Sequence, residues 1–152
     1  MQLNVSTCYG LQIILYLSRN NKVVSSTELS NNLHISQRYI LQIVQKLRDG
    51  ALVNAYAGMK GGYSLSKEAS AISVYDIVAL MEGVSDIPFC IKPCHDANLH
   101  CALSAMTDYL DTYLKALTFD KLTDMDITGR LSEIIAIAET NMNALKQEAL
   151  IG

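Results

Sequence analysis

The chain has 152 residues, half of them apolar, and a net charge of −3. That is material for one core, or for a small domain with a helical extension. No apolar run approaches the roughly 18 residues of a membrane span, and residues 1–6 lack the basic-then-apolar order of a secretory signal, so a cytoplasmic protein without membrane contact is expected.

The charge is unevenly placed. Residues 1–67 hold seven Lys/Arg against two Asp/Glu, a net of +5, and residues 68–152 hold five against thirteen, a net of −8. A basic half joined to an acidic half fits a DNA-binding module beside a module of another kind; it also fits a solvated surface of uneven charge. The expected division is a DNA-binding domain over 1–67 and a helical dimerisation region over 68–152.

In chain order, residues 7–18 read as a first helix that Thr7 can cap, with Leu11, Ile14, Leu15 and Ser18 near one face. Ser25-Ser26-Thr27-Glu28 has capping-box spacing and opens a short second helix ending near Leu33. His34-Ile35 forms a turn. Ser36 can cap a third helix that runs to about Arg48, before Asp49-Gly50 stops it. Ile40, Val44 and Leu47 recur at helical spacing and should face the core, while Gln37, Arg38, Gln42, Gln45 and Lys46 lie largely off that stripe. Two helices around a tight turn, the second with Arg and Gln outward, describe a helix-turn-helix; a plain three-helix core would share the pattern.

Residues 52–56 read as a strand and Gly62-Tyr63-Ser64-Leu65 as its return, around Ala57-Gly58-Met59-Lys60-Gly61. A hairpin directly after a recognition helix reads as a wing, whose glycines let the backbone approach phosphate or the minor groove. The fold class expected is therefore mainly α with a small β-hairpin wing. Ser73-x-x-Asp76 caps a helix to about Gly83, and residues 84–100 form a loop holding both prolines, Pro88 and Pro93. From about Leu99 a long helix carries Leu103, Met106, Leu110, Tyr113, Leu114 and Leu117 at three- and four-residue steps. Such a stripe must bury itself on something, either a second subunit or the chain's own winged helix. A last amphipathic helix is expected over 128–149.

Cys90, Cys94 and Cys101 lie within twelve residues. In a reducing compartment such thiols are metal ligands, redox groups or core fillers more often than disulfides. Three held this close can ligate a soft metal centre. They lack the paired spacing of a zinc ribbon, although zinc with His95 or His100 as fourth ligand stays open. Cys8 stands apart at the start of the first helix, where a thiolate is favoured, but where a lone cysteine is more often a small core residue than a ligand.

Tyr9-Gly10-Leu11, Ile35-Ser36-Gln37-Arg38-Tyr39, Gly58-Met59-Lys60-Gly61-Gly62-Tyr63, Ile72-Ser73-Val74-Tyr75-Asp76-Ile77, the cysteine loop and Leu117-Thr118-Phe119-Asp120-Lys121-Leu122 together carry a resemblance. Over about residues 1–123 the chain resembles the IscR/NsrR/CymR regulators of the Rrf2 superfamily. The resemblance implies a winged-helix homodimer crossing through the long helix, with the first helix of one subunit near the cysteine loop of the other. In the NsrR branch the place of Cys8 supplies a non-cysteine fourth ligand to a 4Fe-4S cluster. Here it is a cysteine, which implies a four-cysteine site of Cys90, Cys94, Cys101 and Cys8 of the partner subunit, with a 2Fe-2S cluster as the other form. The histidine ligand of the IscR branch is replaced by Ser104, the wing arginine of many relatives by Ala57, and a glutamate of the IscR recognition helix by Leu41.

The mechanism expected has two parts. Arg38, Tyr39 and Gln42, with Gln37 beside them, meet base edges or phosphates of a double-stranded, pseudo-palindromic operator. Ser26, Thr27 and Ser36 anchor phosphates, and Lys60 and Gly61 meet the backbone or minor groove. The cluster bridges subunits, so its loss, oxidation or attack by nitric oxide shifts the spacing of the recognition helices. A metal-free regulator of the CymR kind, answering to a partner protein or to thiol oxidation, is the alternative. An enzyme is not expected, since no nucleophile–base pair or phosphate-binding loop is present.

Overall fold

The first helix begins earlier than its apparent cap. In the computed structural model, which describes residues 3–83 and 96–123, helix α1 spans Val5–Asn20. Thr7 is fully buried within it, and its hydroxyl donates to Glu82 instead of closing the helix end. Asn21 stops α1 in the left-handed region at φ 44°, returning its N–H to the Leu17 carbonyl.

Helices α2 (Ser26–Leu33) and α3 (Gln37–Asp49) start at serine caps. The Ser25 hydroxyl accepts from the Glu28 amide at 3.1 Å, and the Ser36 hydroxyl from the Tyr39 amide at 3.4 Å. His34, at φ 55°, makes the tight turn between them. Ile40, Val44 and Leu47 face inward as expected, and Ile43 joins them.

Strands β1 (Val53–Tyr56) and β2 (Gly62–Leu65) pair antiparallel, with Val53 opposite Leu65 and Tyr56 opposite Gly62. Val24 and Tyr63 exchange backbone hydrogen bonds of 2.9 and 2.8 Å, which fastens the hairpin to the segment ahead of α2. A side chain at Gly62 would overlap the Val24 carbonyl, and Gly58 turns the hairpin at φ 102°.

A 3-10 turn (Ala69–Ala71) leads into α4 (Val74–Glu82). Its capping box is complete: the Ser73 hydroxyl accepts from the Asp76 amide, and the Asp76 carboxylate accepts from the Ser73 amide. Helix α5 (Ala97–Ala116) starts two residues before the expected Leu99, because Asp96 accepts from the Leu99 amide at 2.8 Å. A short α6 (Phe119–Thr123) follows and buries Phe119.

One apolar cluster joins Ile13, Ile14 and Leu17 of α1 to Ile40, Val44 and Leu47 of α3, Ile77 of α4 and Phe119 of α6. Residues on both sides of position 67 therefore share a core. The α5–α6 junction is tied to the start of α4 by bonds from the Val74 amide to the Leu117 carbonyl (2.9 Å) and from the Phe119 amide to the Ile72 carbonyl (3.0 Å). Of the 20 residues of α5 only Asp111 is buried. The architecture is mainly α, a helix-turn-helix followed by a two-stranded wing. Most of the expected cysteine loop, residues 84–95, and the helix expected over 128–149 lie outside the described residues. No helix among the described residues is long and apolar enough to cross a membrane.

Candidate nucleic-acid interface and cysteine centre

Burying Ile40, Ile43, Val44 and Leu47 turns the opposite face of α3 to solvent. Arg38, Leu41 and Gln42 are exposed on it, along with Gln37 and Gln45. These side chains are not equivalent. The Gln37 amide donates to the hydroxyls of Ser26 (2.9 Å) and Thr27 (3.3 Å), which clasps the start of α3 to the start of α2. Gln45 donates to the Asp49 carboxylate at 2.8 Å. Tyr39 is half-buried, its ring edge-on to Tyr9 with centroids 5.6 Å apart, so it packs α3 against α1. Arg38 and Gln42 make no side-chain hydrogen bond among the described residues.

The wing stands beside the start of α2 and the end of α3. Lys60 is exposed and Met59 completely so, while Gly61 is half-buried and donates its N–H to the Gly58 carbonyl at 2.9 Å. Between the wing and the α2 N-terminus lies a cleft of about 490 Å³, lined among others by Ser25, Ser26, Arg48, Tyr56 and Gly61. Helix-end amides, a guanidinium and a glycine backbone make such a cleft suited to a phosphate. Ser26 and Gly61 were expected here. Arg48 was not: from the sequence it marks only the end of α3, and with the hairpin in place it lines the cleft.

Of the expected cysteine ligands, Cys8 is half-buried in the first turns of α1 and Cys101 is exposed on α5; both are free thiols. Cys90, Cys94 and His95 lie outside the described residues, and His100 is exposed on α5. Among the described residues no group of three or more His, Cys, Asp or Glu could hold a metal. As a donor set, four thiols suit an iron–sulfur cluster.

The geometry around Cys8 links this region to α3. The Glu82 carboxylate, at the end of α4 and just ahead of residue 84, accepts from the Asn4 amide (2.9 Å), the Asn4 side chain (2.6 Å) and the Thr7 hydroxyl (2.5 Å). The Cys8 amide donates to the Asn4 carbonyl at 3.1 Å. One carboxylate thus fixes the turn that carries Cys8, on a helix that packs against α3. The Thr7 hydroxyl and then the Asn4 amide hold the Glu82 carboxyl below its ordinary pKa.

A family model described as Rrf2, iron-dependent transcriptional regulator, matches residues 3–125. A Lactococcus lactis protein named as the HTH-type transcriptional regulator YffB is 35% identical over 85 residues, 55% of this chain and 54% of that protein. The match thus spans about half the length of that relative. The solved structure of CymR (YrzC), the global cysteine regulator of B. subtilis, is matched with 25% identity and a TM-score of 0.71, over 81% of this chain and 96% of that one. The oxidized form of Staphylococcus aureus CymR is matched with 25% identity and a TM-score of 0.70, over 84% and 100%. IscR of T. potens shares the fold, with 21% identity and a TM-score of 0.66 over 80% and 85%.

Proposed function

Because the chain belongs to the Rrf2 family of transcriptional regulators, we propose that it acts as a homodimer on a pseudo-palindromic DNA operator and answers to a cysteine-ligated iron–sulfur cluster. The observation that carries the DNA reading is the outer face of α3, where Arg38 and Gln42 stand exposed. In this reading Arg38 and Gln42 meet base edges in the major groove. Gln37 and Tyr39 hold α3 at its angle. The α2 N-terminus with Ser26 and Thr27, the Ser36 cap, Arg48, Lys60 and Gly61 take phosphates or the minor-groove edge. DNA reading falls to residues 1–67 and dimerisation to 68–152.

Cys90, Cys94, Cys101 and Cys8 of the partner subunit would hold the cluster, a 4Fe-4S form matching the four thiolates and a 2Fe-2S form being the other candidate. When bound it supplies a redox- and nitric oxide-sensitive bond between subunits. The chain's own part is mechanical: Glu82 keeps the Cys8 turn against the end of α4, and α1 passes any shift there to α3. The iron-dependent description of the family supports this reading.

The likeness to CymR, including an oxidized form, favours a second reading. There the protein is metal-free, and oxidation of the Cys90 or Cys94 thiol, or a partner protein, is the signal. Anaerobic purification with iron and sulfide assays separates the two. Iron and sulfide at cluster stoichiometry, lost in Cys90→Ala, support the first. A colourless protein after reconstitution, with oxidant-sensitive DNA binding, supports the second.

A further inference from the structure

The centre of the recognition surface is apolar. Leu41 is 47% exposed, on the outward face of α3 between Arg38 one turn before it and Gln45 one turn after. A lone exposed leucine on an arbitrary surface needs no explanation. Here its surroundings single it out. The glutamines four residues to either side are both drawn away, Gln37 to Ser26 and Thr27 and Gln45 to Asp49. What α3 presents in its first two turns is therefore Arg38, Leu41 and Gln42. Residues near the N-terminus of such a helix are those that reach base edges.

We infer that Leu41 reads the C5 methyl group of a thymine in each operator half-site. This rests on the DNA-binding reading and adds a base identity to it. Thymine alone offers an apolar group in the major groove; guanine, cytosine and adenine present hydrogen-bonding groups there. A leucine cannot satisfy those groups, so a G·C pair opposite it would lose water from a donor or acceptor without replacing the bond. Against a thymine methyl it buries apolar surface on both sides. Arg38 and Gln42, beside it, supply hydrogen bonds to the neighbouring pairs, which fixes the register in which the methyl is met.

The test uses the full chain and a duplex selected by it from a random DNA pool. Each thymine of one half-site is replaced singly by deoxyuridine, which removes the methyl group and leaves the pairing edge intact. One replacement should weaken binding by about three- to fivefold, the worth of roughly one buried methyl group. Leu41→Ala should bind the parent duplex more weakly by a similar factor, keep its helical signal, and be indifferent to deoxyuridine at that position. Specific binding with every replacement silent overturns the inference while leaving DNA recognition in place. A methyl effect that persists in Leu41→Ala assigns the methyl to another side chain and also overturns it. If no duplex is enriched, the DNA-binding reading fails and the inference falls with it.

Discussion

At the scale of single residues, the side chain that fixes the turn carrying Cys8 is Glu82. Its three bonds to Asn4 and Thr7 cross a sequence gap of 75 to 78 residues. Its pKa is lowered in the fold, so the stability it contributes is present above the unfolded carboxylate pKa and is lost as pH falls through the lowered folded value. Glu82→Gln should therefore cost about 1 kcal/mol near neutral pH, where hydrogen bonds to a charged acceptor are at their strongest but partly exposed. The gap between variant and parent should narrow as pH falls into the acid range, below about 4. Thermal unfolding of both proteins across that range measures it. A gap that does not change with pH would mean that the charge of Glu82 is not what holds the turn. This latch was not legible in the sequence. Thr7 looks like a helix cap, and nothing local to it marks a partner at position 82. Gln37 is a parallel case: nothing local to it marks the bonds its amide makes to Ser26 and Thr27. Caps with local partners, such as Ser25, Ser36 and Ser73 with Asp76, were read correctly because both halves of the interaction lie within four residues.

At the scale of elements, helix-turn-helix and wing were legible from periodicity, caps and glycines, whereas the way the wing is attached was not. The Val24–Tyr63 exchange depends on two residues 39 positions apart and on the empty space at Gly62. Gly62→Ala puts a methyl group into the Val24 carbonyl, so the hairpin must shift or the exchange must open. The expected cost is about 1–3 kcal/mol, in line with overpacking elsewhere. Because α2 and α3 keep their own caps and core contacts, helical content should survive while operator affinity falls. Circular dichroism and a binding titration on the same preparation check both halves. An Arg48→Ala variant probes the cleft that the attached wing creates. It should weaken binding to specific and unrelated DNA alike, and lower the slope of log affinity against log salt by about one, as loss of one phosphate contact does. A loss confined to the specific duplex would instead make Arg48 a base reader.

At the scale of the whole molecule, the question is what covers α5. Its stripe was read from the sequence as a surface in need of a partner, with the chain's own winged helix as the competing cover. Among the described residues that cover is incomplete. Leu99 and Met106 remain 52% and 47% exposed, Leu103, Leu110 and Leu114 are half-buried, and α5 touches the winged helix through α4. Apolar side chains at that spacing over about four turns are the material of a two-fold helix pair, in which each contact occurs twice. Met106→Glu tests it. In a free monomer the substitution places a carboxylate on an already exposed site and should change stability by no more than about 0.5 kcal/mol. In a dimer it buries two unpaired charges, at several kcal/mol of effective penalty for each ion. Sedimentation should therefore find a folded monomer where the parent is a dimer. The consequence for DNA is quantitative. A monomer engages one half-site and displaces counterions from half as many phosphates, so its salt slope should fall to about half that of the parent. A Met106→Glu protein that stays dimeric with an unchanged slope would place the subunit contact elsewhere, and with it the route by which a shared cysteine site could set the spacing of the two recognition helices.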